Sequence, residues 1–154
     1  MVDPDNRPSI DYAVRQTLLR SLPKKSAAEL LADWQSGAAK LFTTISVLKA
    51  RNQCREIFEG QYQAIPVTGE KKNHVIAFLR TARSGRIIAA TPRFVRTLTG
   101  GKPAYPKPGL WGDTTLNLRD SGHFRNLITG EEHHSLSAAD LFKTFPVALL
   151  LTLN

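Results

Sequence analysis

The sequence predicts an α+β fold, a helical lead-in followed by a small antiparallel β-domain closed as a β-sandwich. Three observations carry this. Apolar residues recur at helical spacing up to about residue 60 and at strand spacing beyond it. Gly-, Pro- and Asn-containing turns separate six to eight short apolar runs in the second part. A composition of 42% apolar and 22% charged residues over 154 positions is enough to bury a real core. Sheets of short strands usually close by facing a second layer.

The elements follow in order. Ile10, Ala13, Val14 and Leu18 share one face of a helix over 9–22, which Pro23 stops. Ser26 with Glu29 three residues later makes a capping box, opening a helix whose apolar face is Ala27, Leu30, Leu31 and Trp34. Gly37 ends it. A third helix sets Ala38, Leu41, Phe42, Ile45 and Leu48 on one side and Lys40, Lys49 and Arg51 on the other. A short turn of helix with Ile57 and Phe58 precedes Gly60.

Residues 62–68 read as a strand that Pro66 confines to an edge or an end, and 68–73 as a polar turn. Residues 74–80 and 86–90 are strands of a hairpin turning at Ser84-Gly85. Thr91-Pro92 reads as an N-cap with proline at the first helical position, burying Phe94, Val95 and Leu98. Residues 99–110 are a Gly- and Pro-rich loop. Strands follow at 115–119, with Leu116 and Leu118 on one face, and at 124–129, turning at Gly130. Ser137 with Asp140 caps a short helix carrying Leu141 and Phe142. Residues 145–151 form a strand so uniformly apolar that both its faces should be covered.

Composition also excludes. The longest apolar run, 146–151, is far short of the roughly 20 residues that span a bilayer, so no membrane association is expected. Residues 1–7 hold no apolar signal core, and a cytoplasmic location is expected. Cys54 is the only cysteine; it can form neither an internal disulfide nor a thiolate zinc cluster and reads as a half-buried structural thiol. The net charge of +8 divides as +2 over residues 1–60 and +6 over 61–154. Arg80, Arg83, Arg86, Arg93 and Arg96 are spread over several elements, with no basic run and no aromatic-interleaved RNA signature. A solvated basic face is favoured over nucleic-acid binding.

Few residues suggest chemistry. His123, His133 and His134 stand beside Ser121 and Ser135, but sequence adjacency is not triad geometry, and surface histidines in turns are the favoured reading. Residues 131–134 (Glu-Glu-His-His) lack the i,i+4 spacing of a helical zinc pair, so no metal and no cofactor is expected. Tyr62, Tyr105, Trp111 and Phe124 are the aromatics that could stack on a sugar ring. Asp3, Asp5, Asn6 and Arg7 put two carboxylates, an amide and a guanidinium in one short segment, able to hydrogen-bond sugar hydroxyls or to hold a turn rigid.

The ordered set of motifs resembles a known family. Residues 2–7 (Val-Asp-Pro-Asp-Asn-Arg), then Asp11-Tyr12, are similar to the segment after the last barrel strand of the maltooligosyltrehalose synthases, members of the α-amylase superfamily. Residues 31–34 (Leu-Ala-Asp-Trp) with Gly37 and Lys40-Leu41, 74–78 (His-Val-Ile-Ala-Phe), 110–114 (Leu-Trp-Gly-Asp-Thr), 126–130 (Asn-Leu-Ile-Thr-Gly) and 141–150 resemble later family segments in the family's order. The family carries a second Arg and then Pro where this chain has Pro8 and Ser9.

The resemblance implies that the chain corresponds to the last fifth or so of such an enzyme. Residues 1–58 would be the last loop and helices of a (β/α)8 catalytic barrel, and 60–154 a C-terminal β-sandwich. The family is an isomerase that converts the reducing-end α-1,4 bond of a maltooligosaccharide to α,α-1,1 in trehalose biosynthesis. The chemistry is retaining, with a nucleophilic carboxylate and an acid/base carboxylate about 5 Å apart. The resemblance places all the catalytic carboxylates on earlier barrel strands, outside this chain, so it implies no activity here. It implies the catalytic barrel as partner, a maltooligosaccharide as candidate ligand, and Asp3, Asp5, Asn6 and Arg7 near the substrate. The competing readings are an independent carbohydrate-binding module and a basic nucleic-acid binder. Bare barrel-covering helices would also self-associate through Leu30, Leu31, Trp34, Leu41, Ile45 and Leu48.

Overall fold

Capping chemistry starts the second helix where the sequence puts it. A computed structural model describes residues 11–101, 108–118 and 122–153. The first helix, α1 (Tyr12–Ser21), opens with the Asp11 carboxylate accepting the Val14 N–H at 3.0 Å. Pro23 sits in the 3-10 turn Leu22–Lys24 that follows. Helix α2 (Ala27–Ala32) carries the full capping box: Glu29 accepts the Ser26 N–H at 2.7 Å, and Ser26 Oγ accepts the Glu29 N–H at 3.3 Å. Gly37, at φ 78°, turns the chain into α3 (Ala38–Gln53), and α4 (Arg55–Glu59) follows, with Cys54 half-buried between them. Leu22, Leu30 and Ala38 form a small core of their own, walled by Leu18, Leu41, Phe42 and Ile45.

Beyond Gly60 the chain makes β1 (Gln61–Ala64), β2 (Val67–Thr68), β3 (Val75–Ala82), β4 (Gly85–Pro92), the short helix α5 (Val95–Leu98), β5 (Thr115–Leu116), β6 (His123–Asn126), β7 (Glu132–His133), the short helix α6 (Ala138–Leu141) and β8 (Ala148–Leu153). Six of the strands form one antiparallel sheet in the order β1-β3-β4-β8-β6-β7. The other two, β2 and β5, pair as a separate antiparallel ribbon. Pro66 acts as its chemistry requires: it divides the expected 62–68 strand between the sheet edge and the ribbon.

Two cores lie on opposite faces of the large sheet. On one face Ala77, Leu79, Ile88, Ala90, Phe124 and Leu150 meet Leu116 of the ribbon, Leu98 of α5, Leu141 of α6 and the fully buried Trp111. Trp111 leans on Phe142 with ring centroids 5.1 Å apart. On the other face Ile87 and Leu149 meet Ala50 of α3, Ile57 of α4 and Phe145, which takes the Phe42 ring edge-on at 5.7 Å. Strand β8 feeds both cores alternately, Ala148 and Leu150 to one and Leu149 to the other, as its continuous apolar sequence requires. Burying one such leucine stabilises the fold by about 2 kcal/mol.

The α+β class stands, and the closure is asymmetric. Among the described residues the layer facing the ribbon side of the sheet has only two strands, completed by short helices and the Trp111 turn, while helices cover the opposite face. Several expectations are corrected. Thr91 and Pro92 remain in β4, paired with Ile76 and Val75, because the hairpin ladder extends to the proline as its last position. The helix therefore starts later, and Phe94 takes φ 50° and is 64% exposed rather than buried. Leu30, expected on a bare helical face, is buried with Leu22 and Ala38, and Leu41 and Ile45 pack against it, while Trp34 of that face is 60% exposed. Leu48 stays 54% exposed, as a bare helical face implies, while α3 meets the sheet through Ala50. Glu132 and His133 form a strand rather than a turn. No described helix is long and apolar enough to cross a membrane.

Candidate functional site

Asp3, Asp5, Asn6 and Arg7, the polar segment suited to sugar hydroxyls, lie outside the described residues, as do Tyr105 and Ser121. The other residues singled out by the sequence are placed, and the fold disperses most of them.

The histidine-rich stretch separates into three jobs. His133 is fully buried on β7, and its Nδ1–H donates to Asp140 Oδ2 at 2.8 Å. A carboxylate can only accept, which makes Nδ1–H the donor of this pair. His133 Nε2 is buried with no hydrogen-bond partner, so it meets neither solvent nor a serine hydroxyl. His134 stacks on His123 at 4.3 Å, and His123 Nε2 binds Glu132 at 2.9 Å. Glu131 takes hydroxyls from Thr129 and Thr144 at 2.9 and 2.8 Å. The expected surface position of His133 is thus corrected. Its strand alternation against Phe124, visible only once β6 and β7 pair, turns it inward.

Asp140 is held by three groups. Its N–H donates to Ser137 Oγ at 3.3 Å, and its carboxylate lies between His133 and Lys143, whose Nζ is 3.1 Å away. Burial alone would raise its pKa, but the hydrogen bonds and charges of His133 and Lys143 outweigh that and hold it below the usual carboxylate value. With Nε2 closed off, this His–Asp pair works as a strut tying α6 to β7. Among the described residues no group of three or more His, Cys, Asp or Glu side chains could hold a metal ion.

The motif over 110–114 is a clamp. Trp111 fills the core beside Phe142. Asp113 Oδ1 accepts the Glu70 N–H at 2.8 Å, and the buried Thr114 Oγ1 accepts the Lys71 N–H at 2.9 Å. The Thr114 carbonyl takes the Ala138 N–H at 2.8 Å, joining the clamp to α6. Gly69 is required opposite it: at φ 95°, a Cβ there would stand 2.6 Å from Thr114 Cα.

Of the aromatics considered for sugar stacking, Trp111 and Phe124 are core residues, while Tyr62 on β1 is 56% exposed. Arg80, directly across on β3, sets its guanidinium 5.4 Å from the Tyr62 ring centroid and donates from Nη1 to the Gly60 carbonyl at 2.9 Å. Phe78 lies 5.4 Å from the same ring. Arg80 had no sequence signal linking it to Tyr62, because strand register is not readable before pairing. The helical lead-in makes a different surface: Tyr12, Val14, Leu19, Trp34 and Leu48 are all exposed, and α1 buries no residue.

Comparisons with known proteins are consistent. No protein-family model matches the chain. A protein of Mycobacterium tuberculosis strain H37Rv described as a putative maltooligosyl trehalose synthase is 29% identical over 158 residues, spanning all of this chain and 17% of that protein. The solved maltooligosyltrehalose synthase of Arthrobacter ramosus superposes with a TM-score of 0.71 at 29% identity, over 99% of this chain and 18% of that one. A solved mutant of the same Arthrobacter enzyme gives the same TM-score at 30% identity. The chain thus spans less than a fifth of the length of the relatives it matches, and sequence and fold agree on what it resembles: part of a maltooligosyltrehalose synthase.

Proposed function

We propose that this chain, similar from end to end to a part of the maltooligosyltrehalose synthases, is their C-terminal portion and serves as structure rather than catalyst. In this reading residues 1–58 complete the catalytic barrel, and the sheet domain packs beside it as the family's β-sandwich. One observation carries it: the matches take in 99–100% of this chain but 17–18% of each relative. Barrel enzymes assemble their sites from the ends of several strands, and a piece of this size supplies too few of them.

The exposed apolar side chains of the lead-in support the same reading. Tyr12, Val14, Leu19, Trp34 and Leu48 are what a helical layer presents when its other side belongs against a larger body. Asp3, Asp5, Asn6 and Arg7 would then lie near the substrate, contributed to a site whose carboxylates come from the barrel. The location is cytoplasmic in this proposal, and the isolated chain self-associates through the bare helical face.

The test is loss of reducing ends from maltopentaose. The chain alone is expected to produce none. Addition of a separately prepared barrel portion of a relative such as that of Arthrobacter ramosus, truncated where this chain's match begins, should restore the reaction. Enzyme-dependent loss with the chain alone would defeat the proposal, as would a truncated barrel that gains nothing from the chain.

A further inference from the structure

We infer that Tyr62, with Arg80 and Phe78 behind it, is a surface binding platform for a neutral glucan chain. Among the described residues, strand β1 is the edge of the six-stranded sheet, with β3 as its neighbour in it. Both residues that touch the Tyr62 ring, Arg80 and Phe78, come from β3. Tyr62 stays 56% exposed beside them, and among the described residues no strand pairs with β1 on its other side. All four residues of β1 are exposed.

The chemistry of the group selects the ligand. The face of a pyranose presents C–H bonds whose positive edges suit the negative face of an aromatic ring. Its equatorial hydroxyls need hydrogen-bond donors and acceptors beside that ring. A guanidinium has five N–H donors, and Arg80 gives one of them to Gly60. The bond to Gly60 and the cross-strand contact with Tyr62 hold the fork in place, so little entropy is lost when a hydroxyl arrives. The choice of an α-1,4-glucan rests on the functional reading above; the platform does not.

The experiment is a calorimetric titration of the whole chain with maltoheptaose, with a thymidine dodecanucleotide as the competing class. Saturable binding of the sugar, weakened roughly tenfold by Tyr62→Ala and retained by Tyr62→Trp, is the expected result. Tyr62→Thr, which keeps strand propensity, should lose binding as Tyr62→Ala does while thermal unfolding stays that of the parent. Phe94→Ala removes another exposed, arginine-backed aromatic and should leave sugar binding unchanged. No saturable binding of maltoheptaose, or binding indifferent to Tyr62, overturns the inference. Oligonucleotide binding through Tyr62 that falls steeply with salt, without sugar binding, overturns it in favour of a nucleic-acid platform. The titration involves no reaction, so its failure leaves the proposed function standing, and activity of the chain alone would leave the platform standing.

Discussion

The helical lead-in and the sheet domain differ in where their stability comes from. In the lead-in, α1 buries no residue, and three side chains, Leu22, Leu30 and Ala38, make up the buried part of its own core. Caps and turns supply much of its definition: Asp11 on α1, the Ser26–Glu29 box on α2, Gly37 before α3. The sheet domain is packed on both faces, with β8 at its centre and Trp111, Phe124, Phe142 and Phe145 almost wholly buried. Short helices are marginal in water without tertiary packing, so the lead-in depends on what it rests against. On this chain that support is the sheet face reached by α3 and α4.

Three measurements would break or sharpen this contrast. The largest effect belongs to the sheet. Leu150→Ala, at a side chain with no exposure, should cost about 3 kcal/mol and lower the midpoint of urea unfolding for the whole domain. A loss under roughly 1 kcal/mol would mean that the sheet is not the stable half.

Ser26→Ala comes next. Removing the cap should cost about 1 kcal/mol, and amide exchange should quicken in α2 while β3, β4 and β8 keep their protection. Equal acceleration in both halves would show them to unfold as one unit.

The smallest effect is a pH dependence inside the sheet domain. The Asp140 pKa is depressed in the folded state, so its contribution is complete above the usual carboxylate range and is lost as pH falls toward the lower folded value. Asp140→Asn keeps an acceptor for His133 and should cost under about 1 kcal/mol near neutral pH, because Asp140 is partly open to solvent and screened. The variant should lose less stability on acidification than the parent. Identical acid limbs for the two proteins would remove Asp140 from the account.

The local signals were legible because each is decided within a few residues. The capping box, the Gly37 stop, the Ser84-Gly85 hairpin and the proline break at Pro66 all appear at their places. The failures are positions where a distant partner decides. Thr91-Pro92 has the chemistry of a helix start, yet pairing with Val75 and Ile76 keeps both residues in a strand. Leu30 shares the apolar spacing of Trp34, yet packing with Leu22 and Ala38 buries it while Trp34 stays in solvent.

The candidate sites divide the same way. Tyr62 could be picked out as an aromatic beside a proline-broken strand, but its exposure and its arginine came from β1 being an edge and from the register of β3. His133 could not be told from its neighbours, because burial of one histidine in a run follows from which strand it pairs with and from the parity of that pairing. The sequence by itself determined the α+β class, the caps at Ser26 and Ser137, the doubly buried strand β8 and the likeness to part of a maltooligosyltrehalose synthase. Tertiary structure alone decided which apolar and titratable side chains face water, because exposure depends on neighbours far away in the chain, and local periodicity carries no information about them.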